Sequence, residues 1–323
     1  MDTASHVLFG ATMTGLAMTD PAIAAHPERF GFVLAAMVLS SHAPDFDTVA
    51  RLKGRSAYLR WHRGVTHSIP ALFLWPLLPV AASAATFGLD GAAIHLYAWC
   101  FAAVMWHVVL DALNGYGVQC LRPFTRRWVH LDVLTLWDPF LFVVHAAALT
   151  TWAAGAVEPY PTFPVLYAIT FLYIGLRGWR RRRWLQRIRE AFRTEGVCYV
   201  MPCLHWWRWA FLAEREDRFV SGFVREGRIE IAGSVMKSAS PESDPWIQAS
   251  KAAEAVNAFL GFAARAHVDV TVTEEGCEVR WTDVRFHYGG KLPFGVEVKF
   301  DRDRRIVSES IGWRKKVWEG PYV

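Results

Sequence analysis

Apolar residues gather in the first 178 residues of the chain, whereas the remainder mixes apolar and polar positions as a soluble domain does. Four apolar runs approach the roughly 20 residues that a helix needs to cross a bilayer. These runs cover residues 69–87, 92–113, 139–157 and 162–178. Turns without Lys or Arg join them in two pairs, which predicts two helical hairpins.

Two shorter apolar runs, residues 4–18 and 30–41, precede these hairpins. Segments of this length are as often buried or re-entrant as they are spanning, and we interpret the two as a third hairpin packed against the others. The pattern therefore predicts a mainly α, polytopic membrane bundle of about six apolar helices, four of them clear spans.

From about Val197 the pattern changes to short runs in which apolar and polar residues alternate, as in residues 228–231, 268–272, 278–281 and 296–300. A period of two is typical of strands with one buried face, and one amphipathic helix is predicted over residues 245–264. We therefore expect a transmembrane metal-binding domain over residues 1–185 and an α+β domain with an antiparallel sheet over residues 195–323.

The formal net charge is +5, and the cations concentrate beside apolar runs, at residues 51–63, 122–127 and 177–183. This placement fits the positive-inside rule better than a nucleic-acid groove, so no nucleic acid is expected as a partner. If each predicted span crosses once, all three clusters lie on the cytoplasmic side. The prediction is a multi-pass protein of the bacterial inner membrane with its C-terminal domain in the cytoplasm, where a regulatory protein could bind.

The five cysteines form no CxxC pair, and their number is odd. This pattern argues against a disulfide framework and against a zinc ribbon, and it fits a reducing compartment.

Acidic and imidazole side chains collect at the predicted cytoplasmic ends of the helices. His107, Asp111 and Asn114 follow each other at i, i+4 and i+7, on one helical face. An ionisable pair inside an apolar run is costly in lipid and indicates function. The full set of candidate metal ligands is Asp2, His6, Asp45, His62, His67, His107 and Asp111.

Imidazole and carboxylate groups are ligands of divalent metals, and a set richer in Asp and His than in Cys favours a hydrolytic centre. We expect zinc, with manganese or magnesium as alternatives. Asp47 or Asp138 could then act as general base, and Arg63 and Asn114 could orient the substrate. Each group also has a structural interpretation, such as a helix cap for Asp2 and Asp138, or turn residues for Asp45 and Asp47.

The motifs DxxxH at the N-terminus, PDFD, HRGVTHS and HVVLDALNGYG occur in this order within about residues 1–180. In this respect the chain resembles the YdjM-like family of predicted membrane-bound metal-dependent hydrolases. The resemblance implies an inner-membrane location, metal dependence, hydrolase activity and a link to the LexA-regulated damage response. The residues that match motif positions are His6, Asp45, His62, His67, His107 and Asp111.

A more distant similarity to zinc-dependent phospholipases C suggests a phosphoester or phospholipid substrate. The leading hypothesis is a membrane-bound metal-dependent hydrolase that acts on a phosphoester or lipid-like substrate at the cytoplasmic face of the bilayer. The alternatives are a non-catalytic membrane scaffold with a structural metal and a transporter. Transport sites usually lie near the bilayer midplane, and the position of the polar groups at helix ends disfavours the transporter.

Overall fold

The described residues of a computed structural model, 1–194, 196–237, 243–287 and 291–313, divide into two compact units. The first unit contains residues 1–47 and 63–180, and the second contains residues 48–62 together with the described residues from 181 onward. The predicted division between residues 185 and 195 stays a prediction. Part of the predicted C-terminal domain, namely residues 195, 238–242, 288–290 and 314–323, lies outside the described residues.

The first unit is helical. Its helices are α1 (Thr3–Ala17), α2 (Pro21–Ala24), α3 (Phe30–His42), α5 (Ile69–Leu74), α6 (Leu77–Phe87), α7 (Ala92–Ala112), α8 (Pro139–Ala153) and the first part of α9 (Pro159–Phe192). Three 3₁₀ segments cover Pro27–Arg29, Ala43–Lys53 and Val65–His67. α4 (Arg55–Trp61) and most of the Ala43–Lys53 segment belong to residues 48–62 of the second unit.

The small residues Gly10 and Ser41 allow α1 and α3 to pack closely. A Cβ added to Gly10 of α1 would lie 2.8 Å from Val38 Cα of α3, so only glycine fits at this crossing. The hydroxyl of Ser41, near the end of α3, donates to the carbonyl of His6 at 2.7 Å. These two contacts fix the register between the helices.

The prediction of about six apolar helices with four spans is wrong. In the described part of the chain, two segments are long and apolar enough to cross a membrane, Ile69–Phe87 and Ala92–Ala112. The predicted third span forms only the 15 residues of α8, which rise about 22 Å against a hydrocarbon core of about 30 Å.

The predicted fourth span lies in α9, and its buried face includes polar side chains. His145 of α8 is buried between two hydroxyls, those of Thr12 of α1 and Thr170 of α9, each 2.9 Å from a ring nitrogen. Arg177 is also buried. α9 therefore contributes hydrogen-bonding groups to a helix-packed interior.

The second unit contains two antiparallel sheets, whereas the sequence predicted one. The strands are β1 (Cys198–Pro202), β2 (Trp209–Glu214), β3 (Arg218–Arg225), β4 (Arg228–Met236), β5 (Ala266–Thr273), β6 (Gly276–Asp283), β7 (Phe294–Asp301) and β8 (Ile306–Trp313). Each sheet pairs its strands in chain order, β1-β2-β3-β4 and β5-β6-β7-β8. The predicted helix 245–264 forms two shorter helices, α10 (Pro245–Ser250) and α11 (Glu254–Phe262).

Apolar side chains from helices cover both sheets. Ile188 of α9 is buried against Val200, Trp209 and Phe211 of the first sheet. In the second, the ring of Phe259 of α11 lies tilted against that of Phe294 of β7, with 5.9 Å between the centroids. α11 also packs against α4.

Candidate metal centre

Four segments of the first unit bring ionisable side chains to one buried place. Asp45 lies in the 3₁₀ segment that follows α3, and His67 ends the short 3₁₀ segment before α5. His107 and Asp111 lie one turn apart near the end of α7, so both side chains point from the same face. His6 comes from the first turns of α1, next to His107.

The ligand atoms of Asp45, His67, His107 and Asp111 all lie within 4.8 Å of one another, and all four residues are buried. His67 Nε2 is 3.2 Å from His107 Nε2 and 3.6 Å from Asp45 Oδ1. Asp111 Oδ2 is 3.5 Å from His67 Nε2 and 3.7 Å from His107 Nε2. Four ligands at about 2.0–2.1 Å from a tetrahedral zinc lie about 3.3 Å apart. This cluster can therefore hold a metal ion.

Two oxygens of the cluster lack a conventional partner. Asp45 Oδ1 and Asp111 Oδ2 are buried and accept no hydrogen bond in the described part of the chain. A buried acceptor left in this way costs about 1–3 kcal/mol, and more when it is charged. Both oxygens face the two imidazole Nε2 atoms, and a cation among these four atoms would satisfy them.

The outer nitrogen of each imidazole is held so that Nε2 faces the cluster. His107 Nδ1 lies 2.7 Å from the carbonyl of Ser41 and can only donate to it, which leaves the Nε2 lone pair for a metal. His67 Nδ1 lies 2.9 Å from the Thr66 hydroxyl, which donates at 2.6 Å to Asp47 Oδ2. The chain from His67 through Thr66 to Asp47 keeps a proton on Nδ1, so that Nε2 is the nitrogen directed at the cluster.

The second oxygen of Asp111, Oδ1, is held by donors. Arg63 Nη2 lies 2.9 Å away, Asn114 Nδ2 donates at 3.4 Å, and the Met1 amine also contacts it. Arg63 has φ of 60°, a left-handed conformation that non-glycine residues seldom adopt. Its backbone N–H donates to Asp47 Oδ2 at 3.0 Å, which holds this conformation. Arg63 and Asn114 therefore position Asp111 in this structure.

His6 lies beside the cluster on the Oδ1 side of Asp111. Its ring stacks on His107 with 3.7 Å between the centroids, and its Nε2 is 3.4 Å from Asp111 Oδ1. Its Nδ1 is buried and makes no hydrogen bond to the described residues.

Burial and charge shift the pKa values of these groups in opposite directions. Burial lowers the pKa of His67, but its contacts with Asp111, Asp45 and Asp47 outweigh burial and raise the pKa to about 10. For Asp45, burial raises the pKa, yet the adjacent imidazoles of His107 and His67 hold the pKa below its ordinary value. Burial, with the nearby His107, keeps the pKa of His6 well below its ordinary value. His67 thus carries a proton that a bound metal ion would displace.

Two other residues predicted for the site, Asp2 and Asp138, make hydrogen bonds to other groups. Asp2 precedes α1 and accepts a hydrogen bond from the Ser5 hydroxyl. Asp138 caps α8, accepting from the Leu141 N–H at 3.2 Å and from the Tyr173 hydroxyl at 3.0 Å. Burial raises the pKa of the Asp138 carboxyl.

His62 follows α4 in the second unit and stacks on Tyr58 at 4.5 Å. The four-residue cluster does not include Asp2, Asp138 or His62. The roles predicted for them stay predictions. Sequence reasoning overlooked the carbonyl of Ser41 and the hydroxyl of Thr66. Neither group is a common metal ligand, although Thr66 lies inside the motif HRGVTHS.

Comparison with known proteins covers both halves of the chain. Residues 1–184 match the family model described as YdjM inner membrane protein, and residues 245–318 match the YfhP C-terminal alpha/beta plait domain. The curated "Uncharacterized protein YfhP" of Bacillus subtilis (strain 168) is 34% identical over 314 residues, covering 97% of this chain and 95% of the relative. No solved structure matches significantly. These matches confirm the resemblance inferred from the motifs: the chain belongs to the YdjM inner membrane protein family.

Proposed function

We propose that this protein is a membrane-bound, metal-dependent hydrolase whose divalent cation is held by Asp45, His67, His107 and Asp111 at the cytoplasmic face of the inner membrane. The observation that carries the proposal is the convergence of four buried donor atoms, two of them carboxylate oxygens without another partner. The mixed imidazole and carboxylate set suits zinc or manganese.

A divalent cation in this position would supply Lewis acidity, polarising a carbonyl or phosphoryl oxygen and making water more acidic. The chain's own residues then have distinct tasks. His67 and His107 present Nε2, and Asp111 presents Oδ2 because Arg63 and Asn114 occupy its Oδ1 side. We assign Arg63 and Asn114 this positioning role, and we assign Asp47 the orientation of His67 through Thr66.

The four side chains of the cluster differ in their exposure to solvent. The side chain of Asp45 is 9% exposed, whereas those of His67, His107 and Asp111 are fully buried. A substrate would therefore reach the centre from the side of Asp45. A phosphoester or lipid-like substrate fits the membrane family and the cations at residues 51–63, which flank this ligand in the sequence.

The burial of three ligands also favours a second candidate, a non-catalytic membrane scaffold with a structural metal. Structural sites fill all their coordination positions with protein, while catalytic sites leave one open. The two candidates share the ligands and differ in whether the metal-loaded protein hydrolyses a substrate.

The first test measures bound metal in the full-length protein, purified in detergent, by elemental analysis. We expect about one ion per chain, and a loss of most of it in His107→Ala. His95→Ala is the matched control, since His95 lies on the same helix and pairs instead with Asp20 at 2.8 Å. Equal and substoichiometric metal in all three proteins would contradict the ligand assignment.

The second test is a screen of phosphodiesters and phospholipids with the metal-loaded protein. We expect turnover that falls at least about 100-fold in His107→Ala and is retained in His95→Ala. Stoichiometric metal without turnover of any substrate would favour the scaffold.

A further inference from the structure

Residues 48–61, which we call the basic segment, lie between two parts of the candidate metal centre in the sequence. Asp45 and Asp47 come directly before it, and Arg63 and His67 directly after it. The segment comprises most of the second 3₁₀ segment and α4. The candidate span Ile69–Phe87 begins a few residues later.

The charge of this region has one sign. Residues 48–68 contain no Asp or Glu, and they contain five cations: Arg51, Lys53, Arg55, Arg60 and Arg63. This equals the formal net charge of the whole chain, +5, so the charges elsewhere cancel. Such a concentration of cations beside an apolar segment attracts anionic lipid headgroups.

Three large apolar side chains of the basic segment are well exposed. Leu52 is 86% exposed, Val49 65% and Trp61 63%. Leu52 lies directly between Arg51 and Lys53, which are also exposed. Apolar side chains interspersed with cations are typical of segments that lie in the headgroup region, where Trp is enriched.

The remaining contacts of the basic segment explain how it is held. Arg51 donates to the Tyr58 hydroxyl at 2.9 Å and lies 4.3 Å above its ring. Arg55 Nη1 donates to the carbonyl of Ile311 of β8 at 3.0 Å, and Arg60 lies 3.5 Å from Glu254 of α11. One side of α4 is therefore packed within the second unit, while Val49, Leu52 and Trp61 remain exposed.

We propose that the basic segment binds the surface of a bilayer that contains anionic lipid. Val49, Leu52 and Trp61 enter the headgroup region, and Arg51 and Lys53 contact lipid phosphates. This surface is independent of the metal chemistry proposed above, although the basic segment adjoins the segments that carry Asp45 and His67 in the sequence.

The test uses spin labels on the full-length protein in nanodiscs. Leu52→Cys places a label in the proposed lipid contact, and Val272→Cys, 75% exposed on β5, provides the matched control. Cys120→Ser in both proteins removes the one native cysteine that is partly exposed rather than buried. In nanodiscs with phosphatidylglycerol, we expect the Leu52→Cys label to be more accessible to oxygen than to a water-soluble nickel chelate. We expect the control label to show the opposite preference.

Charge is tested by Lys53→Glu in the Leu52→Cys protein, with Lys251→Glu as the control, since Lys251 is an exposed cation of the same unit. We expect Lys53→Glu, and nanodiscs of phosphatidylcholine alone, to abolish the oxygen preference, and Lys251→Glu to retain it. A Leu52→Cys label as accessible to nickel as the control would overturn the proposal. A label shielded from both reagents would also overturn it, because protein would then cover the segment. An oxygen preference that does not depend on lipid charge would overturn the requirement for anionic lipid.

Discussion

At the residue scale, Asp111 combines two tasks in one carboxylate. Its Oδ1 is engaged by Arg63, Asn114 and the Met1 amine, while its Oδ2 faces His67 and His107. A carboxylate held on one side by fixed donors cannot rotate to satisfy its other oxygen, so the cluster keeps an acceptor directed at the imidazoles. Second contacts of this kind commonly set the affinity of a metal site.

The contact of Asp47 leads to a prediction about affinity. Asp47→Asn removes the negative charge of the carboxylate to which the Thr66 hydroxyl donates. The hydrogen bond between Thr66 and His67 is then weaker, and the ring of His67 is held less firmly. We expect metal affinity to fall about 10- to 100-fold while the stoichiometry at saturating metal is unchanged. Titration against a chelator measures this, with Asp90→Asn as the control because Asp90 pairs with Arg29. An unchanged dissociation constant would show that Asp47 does not act through His67.

The raised pKa of His67 predicts how stability depends on pH. A pKa of about 10 in the folded protein lies above the ordinary 6.5. Protonated His67 therefore stabilises the metal-stripped fold fully below about pH 6.5 and loses this contribution as the pH rises toward 10. We expect the thermal midpoint of the metal-stripped protein to fall across this window, and to fall less in His67→Gln. Parallel curves for the two proteins would contradict the assignment.

The proton of His67 also competes with metal binding. Binding at Nε2 must displace it, so metal affinity should increase with pH over this range, with release of about one proton per ion near neutral pH. Calorimetric titration in buffers of different ionisation enthalpy counts the released proton. An enthalpy that does not depend on the buffer would exclude this displacement.

At the scale of elements, the site depends on how closely α1 approaches α3. His6 and Gly10 are one turn apart on α1, and Ser41 of α3 contacts both His6 and His107 through its hydroxyl and its carbonyl. The spacing between these helices therefore sets the position of the His107 ring relative to the rest of the cluster.

Gly10→Ala tests this dependence. The added methyl would meet backbone atoms of α3, at 2.8 Å from Val38 Cα and 3.0 Å from Met37 O, which cannot move independently. We expect a loss of stability of about 1–3 kcal/mol and weaker metal binding. Gly31→Ala on α3 is the control, because its Cβ would meet no atom within 4 Å and alanine favours a helix. Equal thermal midpoints for the two variants would show that the crossing tolerates a methyl group.

The sequence predicted the residues of the buried Asp and His cluster better than the helices that carry them. His67, His107, Asp45 and Asp111 could be selected because their chemistry and their spacing are visible in the motifs. The number of candidate spans could not be predicted, because residues 139–153 and 162–178 are mostly apolar in the sequence although His145, Thr170 and Arg177 are buried inside the protein. Alternation identified strands β4 to β7, but it does not encode which strands pair, so two sheets were read as one.

At the scale of the whole molecule, the chain contributes to the second unit twice, first with residues 48–62 and again from residue 181 onward. It leaves the first unit after Asp47, forms α4 against α11, and returns at Arg63. The ends of this excursion are joined, since the Arg63 N–H donates to Asp47 Oδ2 at 3.0 Å. The family match over residues 1–184 therefore includes a segment that is packed by the C-terminal half.

A truncated protein tests this organisation. In a chain of residues 1–184 the basic segment lacks α11 and β8, so Arg55 and Arg60 lose their contacts with Ile311 and Glu254. We expect trypsin to cleave after these two arginines at least about tenfold faster than in the full-length protein, because cleavage requires local unfolding. Mass spectrometry of a digestion time course measures both rates. Equal rates would show that the C-terminal half does not protect the segment.

The excursion at residues 48–62 also has a consequence for how the two halves of the chain evolve. A lineage that lost the C-terminal half would leave one side of α4 without its cover, and a lineage that exchanged it would need a replacement shaped to fit the same helix. Recombination between the halves is thereby penalised, so we expect them to be inherited together. The Bacillus subtilis relative, which aligns along nearly the entire chain, agrees with this expectation.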